Sequence, residues 1–468
     1  MLAKVTSLIP VQILRRIFEW KHIKHINELP VELLVEIFLC CLPMRSFPRP
    51  STREAPLLLG RICRVWRSVS LDTPQLWAQI TLENSEWGWR PPVNAWNSEN
   101  FQNFGIKEWL RRSGNTPLSF KIGNHSGDHI FSPSVILALQ AEAHRWKAVS
   151  LETNCLCIYR ILQVLRSPET TPMLTSLHLL TLIESKTFMP IPSAPKLSSF
   201  YLQLATDDIF LSGSRFHGLR ELRISLCGSS SPQVYSLIFT QCQLLEILEI
   251  KSSPSFPLCH SATVLVKHAL QHLRSFIFVG RGDHAQPELW ILDLLDAPAL
   301  NSLAISIWKN YRYGQVDEAT HLSDFLMRCG GQLQRLMLTG DFLSHDDFIH
   351  SIRHTPILES LSIESIILSG DMTTLYPSLA QIDILVTKLS GDIFMIAVNT
   401  ILSRWKYSGW KEDARTISPV TIRVPWYALS TVRTHPEVQK CIQQGLRVVQ
   451  LPSTEESWWM PHVEPVDA

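Results

Sequence analysis

The chain has 468 residues, 45% hydrophobic and 18% charged, a balance typical of a globular protein with a large apolar core. Its 43 basic and 42 acidic residues give a net charge of +1, so nothing favours general binding to nucleic acid or to an anionic membrane. The ten cysteines are scattered and lack the paired spacing of a zinc site, which predicts free thiols in a reducing compartment.

Residues 1–25 predict an amphipathic helix that leads into the rest of the chain. Their short apolar stretch is interrupted by Pro10, and basic residues follow it rather than precede it, the wrong order for a secretory signal. No apolar run approaches the roughly 20 residues needed to cross a bilayer. We therefore expect a protein of the cytoplasm or nucleus.

Residues 26–76 contain two short helical patterns separated by a polar, proline-bearing insert at 43–56. Pro30 suits the first turn of the first helix, where a backbone N–H has no helical partner in any case. Each pattern carries apolar residues at helical spacing. The first pattern contains Leu29, Leu33, Ile37 and Phe38, and the second contains Leu59, Ile62, Cys63, Trp66 and Val69. The motif residues within and just after the two patterns are Leu29, Pro30, Leu33, Leu34, Ile37 and Phe38, then Cys63, Val65, Trp66, Leu76 and Trp77.

The Leu-Pro-x-Glu start, the Cys-x-x-Trp and the Leu-Trp pair together resemble the F-box, as found in fungal F-box-like proteins. The long insert departs from a compact F-box. The resemblance implies docking to the Skp adaptor of a cullin-based ubiquitin ligase. The residues that it assigns to the adaptor are Leu29, Pro30, Leu33, Leu34, Ile37, Phe38, Val65 and Trp66. The alternative is a helical hairpin that only caps the next domain.

A repeated pattern, apolar-x-x-apolar-x-apolar, continues after residue 170. Its nine copies start 21 to 33 residues apart, close to the roughly 20–29 residues of leucine-rich repeats, which the array resembles. Proline or glycine often stands just before the first leucine, which predicts a common turn. The copies begin at Leu174, Leu197, Leu219, Leu245, Leu273, Leu300, Leu333, Leu358 and Leu379, with weaker ones at Trp77, Pro117 and Trp146.

Each copy predicts a short strand whose alternate side chains point into a core that stacked neighbours complete. We expect an α/β fold, with the helical F-box followed by an irregular leucine-rich-repeat solenoid that has parallel strands on its concave face and helices outside. Only Cys227 occupies the position where Asn or Cys is usual, so the turns must satisfy their backbone in another way. The predicted helices are 101–112, 234–242, 263–270, 288–295, 321–329 and 346–353.

The predicted domains are the lead-in helix (1–25), the F-box-like domain (26–76), the solenoid (77–390), a carboxy-terminal cap (391–451) and a tail (452–468). Within the cap, the sequence predicts helices at 392–405 and 436–444 and strands at 421–424 and 446–451. A terminal cap is expected because a repeat array must shield its last unit.

The sequence contains no catalytic motif, cofactor-binding loop or paired metal ligands. We therefore predict a non-enzyme with no cofactor and no metal: a substrate-recognition subunit of a Skp–cullin–F-box ubiquitin ligase whose sheet face binds a target protein. The alternative is an interaction scaffold that assembles no ligase. The strand positions expected to face the target include His178, Gln203, Arg223, Glu249 and Ser306.

Overall fold

A computed structural model gives a mixed α/β protein with extensive parallel β-sheet. It describes residues 26–43, 46–83, 99–124, 133–153, 161, 163–165, 169–181, 194–204, 218–227, 232–253, 266–282, 289–309, 318–340, 343–364, 381–385, 398, 402, 421–424 and 426–450. The predicted lead-in helix, the helix at 392–405 apart from residues 398 and 402, and the tail lie outside these ranges.

The chain divides into two compact units, Met1–Gly218 and Leu219–Ala468. The α-helices are α1 (Val31–Cys40), α2 (Arg64–Leu71), α3 (Glu99–Ser113), α4 (Pro133–Ala141), α5 (Pro232–Gln241), α6 (Glu318–Cys329), α7 (His345–Ile352), α8 (Trp426–Thr434) and α9 (Pro436–Gln443). The strands of the first unit are β1 (Gln79–Glu83), β2 (Leu118–Asn124), β3 (Trp146–Thr153), β4 (Ser176–Thr181) and β5 (Ser199–Leu204).

The strands of the second unit are β6 (Glu221–Cys227), β7 (Ile247–Ser253), β8 (His268–Ala269), β9 (Ser275–Gly282), β10 (Leu295–Asp296), β11 (Ser302–Lys309), β12 (Arg335–Thr339), β13 (Ser360–Glu364), β14 (Gln381–Leu385), β15 (Thr421–Val424) and β16 (Arg447–Gln450). Strands β8 and β10 form a small parallel pair of their own. The others pair in parallel, each with the next in chain order.

The predicted strands all form, and their apolar positions pair with one another in register. In the first unit the row runs through Ile80, Phe120, Val149, Leu177 and Phe200, all buried. In the second unit it runs through Leu222, Leu248, Phe276, Leu303, Leu336, Leu361, Ile382, Ile422 and Val448. The strands in each row therefore place their apolar positions on the same side of the sheet, as the two-residue period of a strand requires. The strands expected in the carboxy-terminal cap, β15 and β16, continue this row.

A common turn precedes the first leucine of the repeat, as predicted. The leucine N–H donates to the carbonyl oxygen three residues earlier, at distances between 3.1 and 3.3 Å. The residue after the leucine then offers its carbonyl oxygen to two successive N–H groups of the following repeat, at 2.7 to 3.0 Å. These leucines are Leu174, Leu197, Leu245, Leu273, Leu300, Leu333 and Leu358, and the doubly accepting carbonyls belong to Thr175, Arg220, Glu246, Arg274, Asn301 and Gln334. These bonds satisfy the backbone carbonyls at the start of each strand.

The predicted helices match the structure unevenly. The helices at 101–112, 234–242, 321–329, 346–353 and 436–444 are present as α3, α5, α6, α7 and α9. The segment at 288–295 instead forms a 3₁₀ helix, Leu289–Leu294. The helix at 263–270 is wrong where the structure describes it, because β8 lies there and Leu270 N–H donates to the Asp296 carbonyl at 2.8 Å. His268 and Ala269 pair instead with Leu295 and Asp296 of β10, so a tertiary contact decides the conformation here.

The buried side chain of Arg145, just before β3, bonds the end of α3 and the segment that leads into β2. The Arg145 side chain is 3% exposed and donates to the Thr116 carbonyl at 2.7 Å and to Ser113 Oγ at 2.9 Å. Glu142 Oε2 lies 2.7 Å from Arg145 Nε and balances the charge of the guanidinium. Arg145 Nη2 also lies 3.5 Å from the Leu110 carbonyl of α3. Because the last carbonyls of a helix lack intrahelical donors, a cation at this place helps to satisfy them and also suits the helix dipole.

Candidate partner-binding surfaces

Two short helices, α1 and α2, pack against each other through an aromatic contact. A short 3₁₀ helix, Pro74–Trp77, follows α2. The rings of Phe38 and Trp66 lie 4.8 Å apart between centroids. Cys63 caps α2, since its Sγ accepts the Trp66 N–H at 3.5 Å. The Cys-x-x-Trp spacing noted in the sequence is therefore a helix cap joined to a core tryptophan.

The Leu-Trp pair connects these helices to the first sheet. Trp77 Nε1 donates to the Ser70 carbonyl at 2.8 Å, which ties the end of α2 to the segment before β1. On its other side, Trp77 contacts Trp109 of α3 edge to face at 4.9 Å, and the Arg112 guanidinium lies 4.5 Å above the Trp77 ring. The helical pair and the sheet thus share one continuous core in the first unit.

The structure places most of the predicted adaptor residues inside the chain. Buried side chains are Leu29, Leu33, Leu34, Ile37, Phe38 and Trp66. Pro30 is half-buried, and Val65 is 44% exposed. Within the described residues, the buried members hold the helices against each other and against the segment that follows, so Val65 is the member best placed to contact another protein.

A second apolar face of α1 was not singled out from the sequence. Val31, Val35 and Leu39 follow one another at four-residue intervals and therefore lie along one side of the helix. Val31 is 55% exposed, and Val35 and Leu39 are half-buried. We call these three residues the outer stripe. Their spacing was visible in the sequence, but only the structure assigns the inner face to Leu34, Ile37 and Phe38.

Polar side chains of β2 to β5 form a connected group on the side of the sheet opposite the core. Lys121 Nζ lies 2.8 Å from Glu152 Oε2, and His178 Nδ1 lies 3.6 Å from Glu152 Oε1. The His178 ring meets the Tyr201 ring edge to face at 4.2 Å, and Tyr201 Oη donates to Gln203 Oε1 at 3.0 Å. We call these five residues the polar cluster.

The polar cluster brings together two predicted residues, His178 and Gln203, and adds three that sequence reasoning did not name. Register explains the assembly, because Lys121, Ser150, His178 and Tyr201 pair directly across neighbouring strands. Ser150 Oγ is also 3.1 Å from His178 Nδ1. Lys121 and Glu152 compensate each other's charge, so the cluster offers aromatic edges and hydrogen-bonding groups rather than a charged patch. Such groups suit recognition of another polypeptide.

The other three residues predicted to face the target, Arg223, Glu249 and Ser306, lie in the second unit. Arg223 donates to Glu221 Oε1 at 2.8 Å, and its Nη1 lies 3.7 Å from Glu249 Oε2. Glu249 also accepts from Lys251 at 3.0 Å. Glu249 is only 9% exposed and Ser306 only 3% exposed. The expectation of an open surface is therefore not met at Glu249 or Ser306, because both side chains are covered by the protein.

The buried thiols of the described residues have the character of core groups. Burial raises the pKa of Cys242 to about 12, and burial is also the main cause that raises the pKa of Cys329. Both stay protonated at neutral pH, which removes the thiolate that nucleophilic or metal chemistry would need. Among the described residues there is no group of three or more metal-ligating side chains and no helix of the length and apolarity needed to span a membrane.

Comparisons with known proteins leave the family of the chain open. No family model matches it, and no curated protein matches it. Among solved structures, it is similar to a crystal structure of a Bacteroides fragilis protein, with 12% identity, coverage of 67% of each chain and a TM-score of 0.29.

Proposed function

We propose that this protein is a substrate-recognition subunit of a Skp–cullin–F-box ubiquitin ligase. In this proposal α1, α2 and the Leu76-Trp77 segment are an F-box-like domain, and the parallel strands with their outer helices are an irregular leucine-rich-repeat solenoid. The helical part binds the Skp adaptor, and the face with the polar cluster binds a target protein. The chemistry of ubiquitin transfer belongs to partner subunits, and this chain contributes positioning.

The apolar character of α1 on two sides carries the proposal. An apolar helix face that stays exposed often marks a site where another protein binds. The inner face of α1 packs within the chain, whereas Val31 in the outer stripe is 55% exposed. Burying a side chain of this kind contributes about 1.5–3 kcal/mol, so a partner that covers the outer stripe and Val65 gains a substantial part of micromolar affinity.

The burial pattern refines which residues contact the adaptor. Leu29 and Leu34 are buried within the chain, so truncating them would mainly lower the stability of the helical pair. We assign direct contact to Val31, Val35, Leu39 and Val65. The role of Leu33, Ile37, Phe38 and Trp66 is to hold these contact residues in place.

Co-purification of the tagged, full-length chain from native extract tests the function. The ligase hypothesis predicts recovery of both the Skp adaptor and a cullin. Recovery of the adaptor without a cullin, in repeated extracts, would favour the scaffold alternative. Recovery of neither would contradict the F-box interpretation.

A further inference from the structure

The first strand of the first unit has an outer edge that faces away from β2. The Ala78 carbonyl accepts the Ser119 N–H of β2 at 2.8 Å. Backbone groups of a strand alternate between its two edges. The Gln79 carbonyl and the Thr81 N–H therefore point to the outer side of β1, where no further strand is paired in the described part of this unit.

The insert between α1 and α2 occupies this edge. The Thr81 N–H donates to the Pro48 carbonyl at 2.8 Å, and Thr81 Oγ1 donates to the Phe47 carbonyl at 2.8 Å. Trp109 Nε1 donates to the Gln79 carbonyl at 3.2 Å. Thr81 is 2% exposed, so these bonds close the edge to solvent.

The insert has a folded shape of its own. Glu54 N–H donates to the Ser51 carbonyl at 3.2 Å, and Leu58 N–H donates to the Glu54 carbonyl at 2.8 Å. Ala55 is 5% exposed and anchors the end of the insert in the core. These contacts hold Phe47 and Pro48 against β1, which a solvated linker would not do.

We infer that residues 46–56 act as an edge guard that prevents β1 from pairing with a second copy of this chain. An uncovered strand edge is a template for pairing with other chains. The natural occupant is β1 of another copy, because two identical edges can pair antiparallel about a twofold axis. A second strand would need to bond the Thr81 N–H and the Gln79 carbonyl. The guard already bonds the Thr81 N–H, and Trp109 of α3 bonds the Gln79 carbonyl.

A replacement variant tests the inference in the full-length chain. Residues 46–54 are replaced by a glycine–serine segment of equal length, which keeps α1 and α2 connected and leaves Ala55 in place. Light scattering after size-exclusion chromatography is expected to give the replaced chain at least twice the mass of the unchanged chain. This average mass should rise further with protein concentration. An unchanged mass at all concentrations would overturn the inference.

A matched variant separates edge pairing from general aggregation. Adding Thr81→Pro to the replaced chain removes the outward N–H without removing a bond to β2, since proline is tolerated at a strand edge. The mass is expected to return to that of the unchanged chain, and a persistently raised mass would contradict edge pairing. If the replaced chain loses its circular dichroism, Thr81→Val with Trp109→Phe removes the side-chain bonds to the Phe47 and Gln79 carbonyls, which loosens the guard and frees the Gln79 carbonyl, and is judged by the same mass criterion.

Discussion

Gly340 lies so close to Ile307 that a Cβ on Gly340 would stand 1.7 Å from the Ile307 carbonyl oxygen. Gly340 has a φ of 108°, a backbone conformation that side chains with a Cβ rarely adopt. It follows β12 directly, and Ile307 lies on the neighbouring strand β11. Glycine is thus the residue that lets the chain leave β12 against the end of β11.

Gly340→Ala is expected to lower the free energy of unfolding by at least about 2 kcal/mol, because it adds both backbone strain and a clash. Urea unfolding followed by circular dichroism measures the effect. Gly331→Ala is the matched control, since nothing lies within 4 Å of a Cβ there. Equal stability of the two variants would contradict the close approach.

Arg145→Met should destabilise the first unit by about 3 kcal/mol, since the buried guanidinium serves the end of α3 and the charge of Glu142. Thermal unfolding monitored in the near ultraviolet reports on the nearby tryptophans. Arg111→Met provides the comparison, because Arg111 also pairs with a glutamate three residues earlier but is 70% exposed. Equal unfolding temperatures of the two variants would contradict this role of Arg145.

The pKa of Glu108 is lowered to about 2, chiefly by the hydrogen bond from Arg111 and further by Arg112, although desolvation opposes this. The folded pKa lies below the ordinary value of 4.5, so the ionised carboxylate stabilises the fold. This contribution is fully present above that ordinary value and is lost as pH falls through about 2. The difference in urea midpoint between the unchanged chain and Glu108→Gln should therefore shrink on acidification, and a constant difference would speak against it.

Tyr201→Ala should weaken target binding by about 30-fold, corresponding to the roughly 2 kcal/mol of a hot-spot aromatic side chain. Proximity labelling in cells compares the partners of the unchanged chain, Tyr201→Ala and Lys196→Ala, whose residue is exposed and precedes β5. Identical labelled partners for all three chains would exclude the polar cluster as the binding site.

The positions of the strands could be predicted because their physical cause is local. Alternate residues such as Leu177 and Leu179 must be buried, and that alternation survives any irregularity of the intervening loops. The turn before the first leucine was also predictable from proline and glycine. The doubly accepting carbonyls, such as that of Glu246, could not be predicted because they arise from backbone geometry that leaves no residue signature.

The candidate surfaces were predicted less completely because they depend on contacts between distant residues. Helical spacing placed Leu34 and Phe38 together on an apolar face of α1. It could not show which side of α1 packs within the chain. Register aligned Lys121 with His178, 57 positions later in the sequence, across the intervening strand β3. The role of the insert could not be predicted because it follows from its bond to Thr81. The sheet topology alone shows that the Thr81 N–H points away from β2.

Isothermal titration of the purified full-length chain with the purified Skp adaptor tests the central claim most directly. The unchanged chain is expected to bind at micromolar affinity or tighter. Val31→Asp with Leu39→Asp, which places two charges on the outer stripe, should weaken binding by about 100-fold or more. Leu71→Asp, which places one charge at a 38% exposed leucine of α2 outside the outer stripe, should leave the affinity unchanged. No binding by the unchanged chain, or equal affinity of the outer-stripe variant, would contradict the account.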